Sequence, residues 1–125
     1  MPSFDVNQQY STSLVFVAGP NCGASSGGRS STTRRTRNPL MAADYALFRE
    51  GVQCALYAAL RSAASLEADC VLIPFVSGGI YAGPWRGKLK DDFESIINEL
   101  LTREEGLGHP PLGMYFQAVV WSLLE

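Results

Sequence analysis

The residues best suited to chemistry lie in a glycine-rich stretch, "SGGIYAGP" at positions 77–84, which directly follows the apolar run "VLIPFV". Gly78 and Gly79 have no Cβ and adopt positive φ at little steric cost, so a ligand can approach their backbone closely. Successive N–H groups from Ser77, through Ile80, to Tyr81 could then converge on one concavity, which is a nest for phosphate oxygens. Tyr81 would offer a flat aromatic face to a sugar or a base.

A second polar, glycine-rich stretch, "NCGASSGGRSSTTRRTRN" at positions 21–38, follows the apolar run "SLVFVAGP". It shows no hydrophobic periodicity and is predicted to be a long loop, and loops of this length tend to be functional or disordered. Asn21 stands at its start and is a secondary candidate for the same pocket. Neither stretch contains a Walker A motif or a GxGxxG motif, and tight-turn geometry alone explains such glycines equally well.

Other reactive side chains show no pattern of their own. His109, the only histidine, lies in the turn "GLGHPPLG", and no spacing supports a nucleophilic pair with Cys22. Asp91, Asp92 and Glu94 fit the solvated first turns of a helix better than a pair of catalytic carboxylates. No cluster of metal ligands stands out, and we expect neither a metal nor a cofactor.

Composition favours one globular domain over residues 1–125, with 46% hydrophobic residues and a formal net charge of −2. The three cysteines are odd in number and form no CxxC pair, which favours a reduced intracellular protein, cytoplasmic or nuclear. No apolar stretch is long enough to span a bilayer, so no membrane partner is expected. Four arginines fall at positions 29–37 without an acid nearby; they either keep a loop solvated or bind a small anion, and direct nucleic-acid binding is not expected.

The predicted elements alternate as strand, loop, helix, strand, loop, helix, strand. Strands are expected at 13–20, at 70–76 with Pro74 as a bulge or an edge, and in the closing run "MYFQAVVWSLL". An amphipathic helix of about six turns is expected, with Asn38 as its N-cap and Pro39 at its first position, and Gly51 at the margin of its apolar stripe is expected to mark a close approach. A second apolar stripe runs from Leu89 to Leu100, with Gly106 and Gly108 ending that helix. This order predicts an α/β fold with a mostly parallel sheet, whose ligands bind at the carboxyl ends of the strands.

The glycine-aromatic stretch resembles the phosphate-loop segment of macrodomains, the ADP-ribose-binding α/β modules. There an apolar strand leads into Ser-x-Gly-(Ile/Val)-(Tyr/Phe)-Gly-x-Pro. Five residues fall on that pattern, and they are Ser77, Gly79, Ile80, Tyr81 and Pro84. Ala82 replaces the usual glycine, and Gly83 follows one place later. The order of "VFVAGPN", a helix, "CVLIPFVSGGIYAGP" and a closing strand is also similar to the C-terminal half of macrodomain-like poly(ADP-ribose) glycohydrolases.

The resemblance implies a small three-layer αβα fold, truncated in its N-terminal half. It implies that the backbone of residues 77–81 cradles the diphosphate of ADP-ribose or of an ADP-ribosylated protein, with Tyr81 beside the distal ribose and Asn21 as a further contact. The family's upstream signatures, Asn-Ala-Ala-Asn or Gly-Gly-Gly…Gln-Glu-Glu, are not in this chain, so no catalytic residue is assigned. The alternative is a non-catalytic interaction or structural domain that kept the α/β layout without a nucleotide pocket.

Overall fold

A computed structural model describes residues 12–17, 19–22, 39–75 and 79–123. Within these ranges the chain forms three α-helices and two short β-strands: α1 (Pro39–Ala43), α2 (Tyr45–Ser65), β1 (Cys70–Ile73), α3 (Arg86–Thr102) and β2 (Ala118–Trp121). Two 3₁₀ segments, Gly79–Trp85 and Leu112–Tyr115, precede α3 and β2 respectively. The predicted α/β class is confirmed in its coarse form, as helices combined with a small parallel sheet. None of the helices in the described ranges has the length and apolarity to cross a membrane.

The predicted first helix is divided at Asp44. This residue has extended backbone angles, and its carboxylate accepts a hydrogen bond of 2.9 Å from the N–H of Ala46. An aspartate in that conformation is a strong N-cap, since its side chain satisfies an N–H group that the first turn of a helix leaves unpaired. Asp44 therefore begins α2 as a new helix and leaves α1 as a short one. The proposed cap at Asn38 lies outside the described residues.

The apolar stripe predicted for the long helix is confirmed as the buried face of α2. Phe48, Val52, Leu56 and Leu60 are completely buried on it. Gly51 marks a close approach, as its position beside the stripe predicted. A Cβ at this residue would lie 3.0 Å from Met41 Cε and 3.1 Å from Pro20 Cγ.

Helix α3 supplies the other half of the core. The five residues of its predicted stripe are all fully buried, and they are Leu89, Phe93, Ile96, Ile97 and Leu100. Phe93 meets Phe75 edge to face, with ring centres 5.1 Å apart. This geometry is favourable because the positive edge of one ring points at the negative face of the other. The contact joins α3 to the chain just after β1.

The two strands pair in parallel, as predicted, with Cys70 opposite Ala118 and Ile73 opposite Trp121. Their side chains alternate between two environments. The inner face packs against the helical core and consists of Val71, Ile73, Val119 and Trp121. The other face, which we call the outer face, is exposed and consists of Cys70, Leu72, Ala118 and Val120. The described residues thus form two layers, and the expected third layer is not among them.

The first predicted strand is not formed. Residues 12–17 have no regular secondary structure, and Leu14 and Phe16 are 75% and 88% exposed. The prediction of a buried strand there was wrong because apolar, β-branched residues favour an extended chain but do not choose a pairing partner. The segment nevertheless runs alongside α2: its Leu14 lies by the end of that helix, while Pro20 lies at Gly51, near its start. This is the direction of β1, which also sets out from the end of α2.

A charged cluster fixes the chain that follows α3. Arg61 of α2 and Arg103, the C-cap of α3, approach the carboxylate of Glu105 at 3.9 and 3.7 Å. The Glu105 side chain is only 5% exposed, and the guanidinium of Arg103 also lies 4.8 Å from the centre of the Tyr57 ring. Burial without a counter-charge would be costly for a carboxylate, so the arginines hold this segment against α2. Gly106 and Gly108 then reverse the chain with positive φ.

Candidate functional site

The candidate site lies at the carboxyl ends of β1 and β2. The strands are parallel, so both end at the same edge of the sheet, and the Ser122 N–H extends the pairing by donating to the Ile73 carbonyl at 3.0 Å. Pro74 follows the last residue of β1, where it does not interrupt the ladder, which explains how a proline fits this run. The glycine-rich stretch leaves the sheet at this edge.

The described part of the glycine-rich stretch is a 3₁₀ segment that leads into α3. Ser77 and Gly78 lie outside the described residues, whereas the backbone of Gly79, Ile80 and Tyr81 forms the first turn of the 3₁₀ segment. Gly83 is half-buried, with φ 54° and ψ −124°. Side chains with a Cβ rarely adopt this conformation, so Gly83 is required for the turn that aims the chain into α3.

The start of α3 has the charge distribution that favours a bound anion. Trp85 is the N-cap residue, and its side chain makes no capping hydrogen bond to the helix. The first turn carries no acid, and Arg86 and Lys88 place positive charge there. The N-terminal end of a helix carries partial positive charge and attracts anions. In α3 no acid of the first turn neutralises that charge.

The chain next to Asn21 lies beside α1, which also contacts Trp85. The segment 19–22 passes over the start of α2, where Pro20 and Met41 both lie against Gly51, and Cys22 is completely buried in the core. The Met41 carbonyl in turn accepts a hydrogen bond of 2.8 Å from the indole N–H of Trp85. Pro20, which precedes half-buried Asn21, and Trp85, which follows the glycine-rich stretch, therefore both lie beside Met41 of α1. The predicted convergence of the two glycine-rich stretches stays a prediction, because residues 23–38 and 76–78 lie outside the described ranges.

An aromatic and charged cluster beside the start of α3 was not predicted. The rings of Tyr45 and Trp85 lie 5.6 Å apart, and the Lys88 ammonium lies 5.3 Å from the first ring centre and 5.4 Å from the second. Trp85 thus packs against α1 and α2. No local motif marks this cluster, because about forty residues separate Tyr45 from its partners and only tertiary packing joins them.

The hydroxyl of Tyr45 is held by the same helix. It donates a hydrogen bond of 2.5 Å to Asp92 Oδ2, and the Lys88 carbonyl lies 3.2 Å away. Burial first, and then the hydrogen bond to Asp92 and its charge, raise the pKa of the Tyr45 hydroxyl well above its ordinary value. Arg49 lies 3.8 Å from Asp92, which balances that carboxylate. Tyr45 therefore stays a neutral donor at physiological pH, and it is a structural tie between α2 and α3.

We predict that Gly83→Ala lowers the free energy of unfolding by about 1–3 kcal/mol, because alanine is strained at the φ and ψ that this turn requires. Gly87→Ala is the matched control. A Cβ at Gly87 meets no atom within 4 Å, and φ there is not positive, so this change should be neutral or stabilise α3 by up to about 1 kcal/mol. Urea denaturation measures both. Equal stability of the two variants would contradict the assigned role of Gly83.

Searches for similar proteins give no further guide to this site, since no family model, curated protein or solved structure matches the chain. Within the ranges that the structure describes, no group of three or more histidine, cysteine or acidic residues is placed to hold a metal ion. The chemistry open to the site therefore has to be inferred from its backbone, its cations and its aromatic side chains.

Proposed function

We propose that this protein binds ADP-ribose, free or attached to a protein, at the carboxyl edge of its parallel sheet. The backbone of residues 77–81 binds the diphosphate, and the start of α3 adds the partial positive charge of the helix dipole. Asn21 contributes from the end of the preceding segment, and Gly83 sets the turn. The proposal assigns binding alone, with no hydrolytic step and no catalytic residue.

The observation that carries this proposal is the route of the chain from β1 to α3. A parallel strand ends, a glycine-rich stretch follows, and a helix starts with neither a capping side chain nor an acid in its first turn. Each of these features favours a bound phosphate: the strand end by its position, the glycines by exposing N–H groups, and the helix start by its dipole. Their occurrence in one continuous segment is what the resemblance to macrodomains implies.

The surroundings of the helix start suit a ligand with two phosphates and a sugar. Arg86 and Lys88 add positive charge, which draws an anion toward the edge. Tyr45 and Trp85 form an apolar wall beside them, and Lys88 lies over both rings. Planar rings next to cations provide stacking surface for a base or a ribose in addition to the charge that phosphates require.

Isothermal titration tests the proposal by comparing ADP-ribose with AMP. We expect ADP-ribose to bind more tightly, because its distal phosphate and ribose reach residues 77–81, whereas AMP lacks both groups. A difference of at least about tenfold corresponds to roughly 1.4 kcal/mol, the energy of one hydrogen bond to a charged group. Equal weak binding of the two nucleotides, or no binding, would favour the alternative of an interaction domain without a nucleotide pocket.

Gly79→Glu tests which residues bind. A carboxylate at this position would fill the nest and repel phosphate, so we expect binding of ADP-ribose to be lost. Ala58→Glu places the same charge on the exposed surface of α2 and should titrate like the parent protein. Circular dichroism shows whether both variants are folded. If folded Gly79→Glu binds as tightly as Ala58→Glu, the phosphate-binding loop has been assigned to the wrong residues.

A further inference from the structure

One edge of β1 is free among the described residues. The strand pairs with β2 on one side, and no backbone hydrogen bond joins its other side to any part of the described chain. The carbonyls of Asp69 and Ile73 accept hydrogen bonds from the chain at the two ends of β2. Successive residues of a strand direct their backbone groups to opposite edges, so Cys70 and Leu72 direct their N–H and C=O groups to the free edge. Unpaired backbone groups of this kind are a template for another extended chain.

A described segment of the same chain lies beside this free edge. Residues 13–17, which we call the strap, line an apolar cleft of about 390 Å³ together with residues 70–74, and α2 supplies most of the other lining residues. The cleft is lined by Leu72 from the outer face of β1 and by Ile73 from its inner face, so it lies at the edge of the strand and not over one face. Within the described ranges no residue of β2 lines it, which places the cleft on the free side of β1.

The strap has the direction of a parallel strand and a fixed carboxyl end. It runs from Leu14, beside the end of α2, toward Pro20, which lies at Gly51 near the start of that helix, and β1 has the same direction. Cys22, two residues beyond Pro20, is completely buried in the core. The chain that follows the strap is therefore held in place, and a small movement of residues 13–17 would close the cleft.

Exposure alternates along the strap as it does along β1. Leu14 and Phe16 are 75% and 88% exposed, whereas Val15 and Val17 are 36% and 37% exposed. In β1, Leu72 is 75% exposed and the residue that follows it only 4%. A period of two is typical of a strand with one side toward the core. The two valines therefore match the inner face of β1, and the two larger side chains match its outer face.

We propose that the strap closes onto the free edge of β1 as a third parallel strand, and that the cleft is the open state of this device. Matching faces place Val15 opposite Val71, with the backbone groups of Val15 and Val17 turned toward Cys70 and Leu72. Closure pairs the free edge from within the chain and buries apolar surface of the cleft, so the edge is no longer a template for another protein. The proposal does not depend on the binding of ADP-ribose.

Hydrogen exchange of the Leu72 amide, followed by NMR, measures closure. In the closed strap this N–H donates to the Val15 carbonyl, and the Leu72 carbonyl accepts from the N–H of Val17. Exchange in the parent chain should therefore be at least about tenfold slower than in Val17→Pro, which lacks that N–H. Phe16→Pro is the matched control, because the N–H of Phe16 points away from β1 in the closed strap, where proline is tolerated, and Leu72 should stay protected. Equal exchange in the parent and Val17→Pro, or equal loss of protection in both variants, overturns the proposal.

A disulfide provides a second measurement. In the closed strap Leu14 lies opposite Cys70 on the outer face, at a Cα separation that a disulfide can bridge. Both variants carry Cys54→Ser, which removes the exposed cysteine of α2. Under mild oxidation Leu14→Cys should form an intramolecular disulfide with Cys70 at least about tenfold faster than Val15→Cys, whose side chain faces the core. Peptide mass spectrometry gives both rates, and equal rates would show that the strap has no fixed register on β1 and would overturn the proposal.

Discussion

Phe93→Ala is expected to lower the free energy of unfolding by about 3–5 kcal/mol, the largest loss that we predict for a single substitution. The ring is completely buried at the centre of the α3 stripe and meets Phe75 edge to face. Its removal costs the transfer free energy of the side chain and leaves a cavity that a close-packed core cannot fill without strain. The loss of the aromatic pair adds to this cost. Urea denaturation followed by circular dichroism gives the value.

Phe93→Leu tests how far the loss of stability depends on the apolar volume that is removed. Leucine retains much of the apolar volume, so we expect a loss well below that of alanine. The difference between the two variants then measures the cavity. A loss for Phe93→Ala below about 1 kcal/mol, which is usual for surface positions, would mean that α3 does not pack against Phe75 in solution.

Both long helices could be predicted from the sequence, because their signal is local. The apolar residues of α2 and α3 recur at the helical period over many turns, and every residue of the α3 stripe is buried. The division at Asp44 was missed because the apolar period continues from Met41 across the cap to Tyr45. The deciding interaction there is the bond from the Ala46 N–H to the Asp44 carboxylate, which periodicity does not reveal.

The sheet was harder to predict, since strand pairing joins residues that are far apart in the chain. The parallel pairing of β1 with β2 followed from the alternation of strands and helices, and it is confirmed. The same reasoning wrongly gave residues 13–17 a buried place in the sheet. They run along α2 in the direction of β1, but hydrophobic composition alone does not determine which strand edge a segment joins.

The candidate site was predictable only where residue types show it. Glycine spacing identified the stretch that joins β1 to α3, and Gly83 has a φ of 54°. The contact between Tyr45 and Trp85 could not be predicted from the sequence, because Tyr45 fits the apolar stripe of α2 like its other members. The hydrogen bond of its hydroxyl to Asp92 and its contact with Lys88 form only when α2 and α3 pack together. Backbone chemistry can therefore be inferred from sequence here, whereas side-chain neighbours from different helices cannot.

Leu56→Ala is expected to destabilise the protein by about 2–5 kcal/mol, whereas Leu47→Ala, on the same helix, should change the free energy of unfolding by no more than about 0.5 kcal/mol. Leu56 is completely buried, and Leu47 is 41% exposed off the stripe of α2. The pair keeps residue type, helix and helix propensity constant, so the difference in urea denaturation isolates burial. Similar losses for both variants would show that the stripe does not face the core. A large loss at Leu56 alone would locate the core between α2 and the inner face of the sheet.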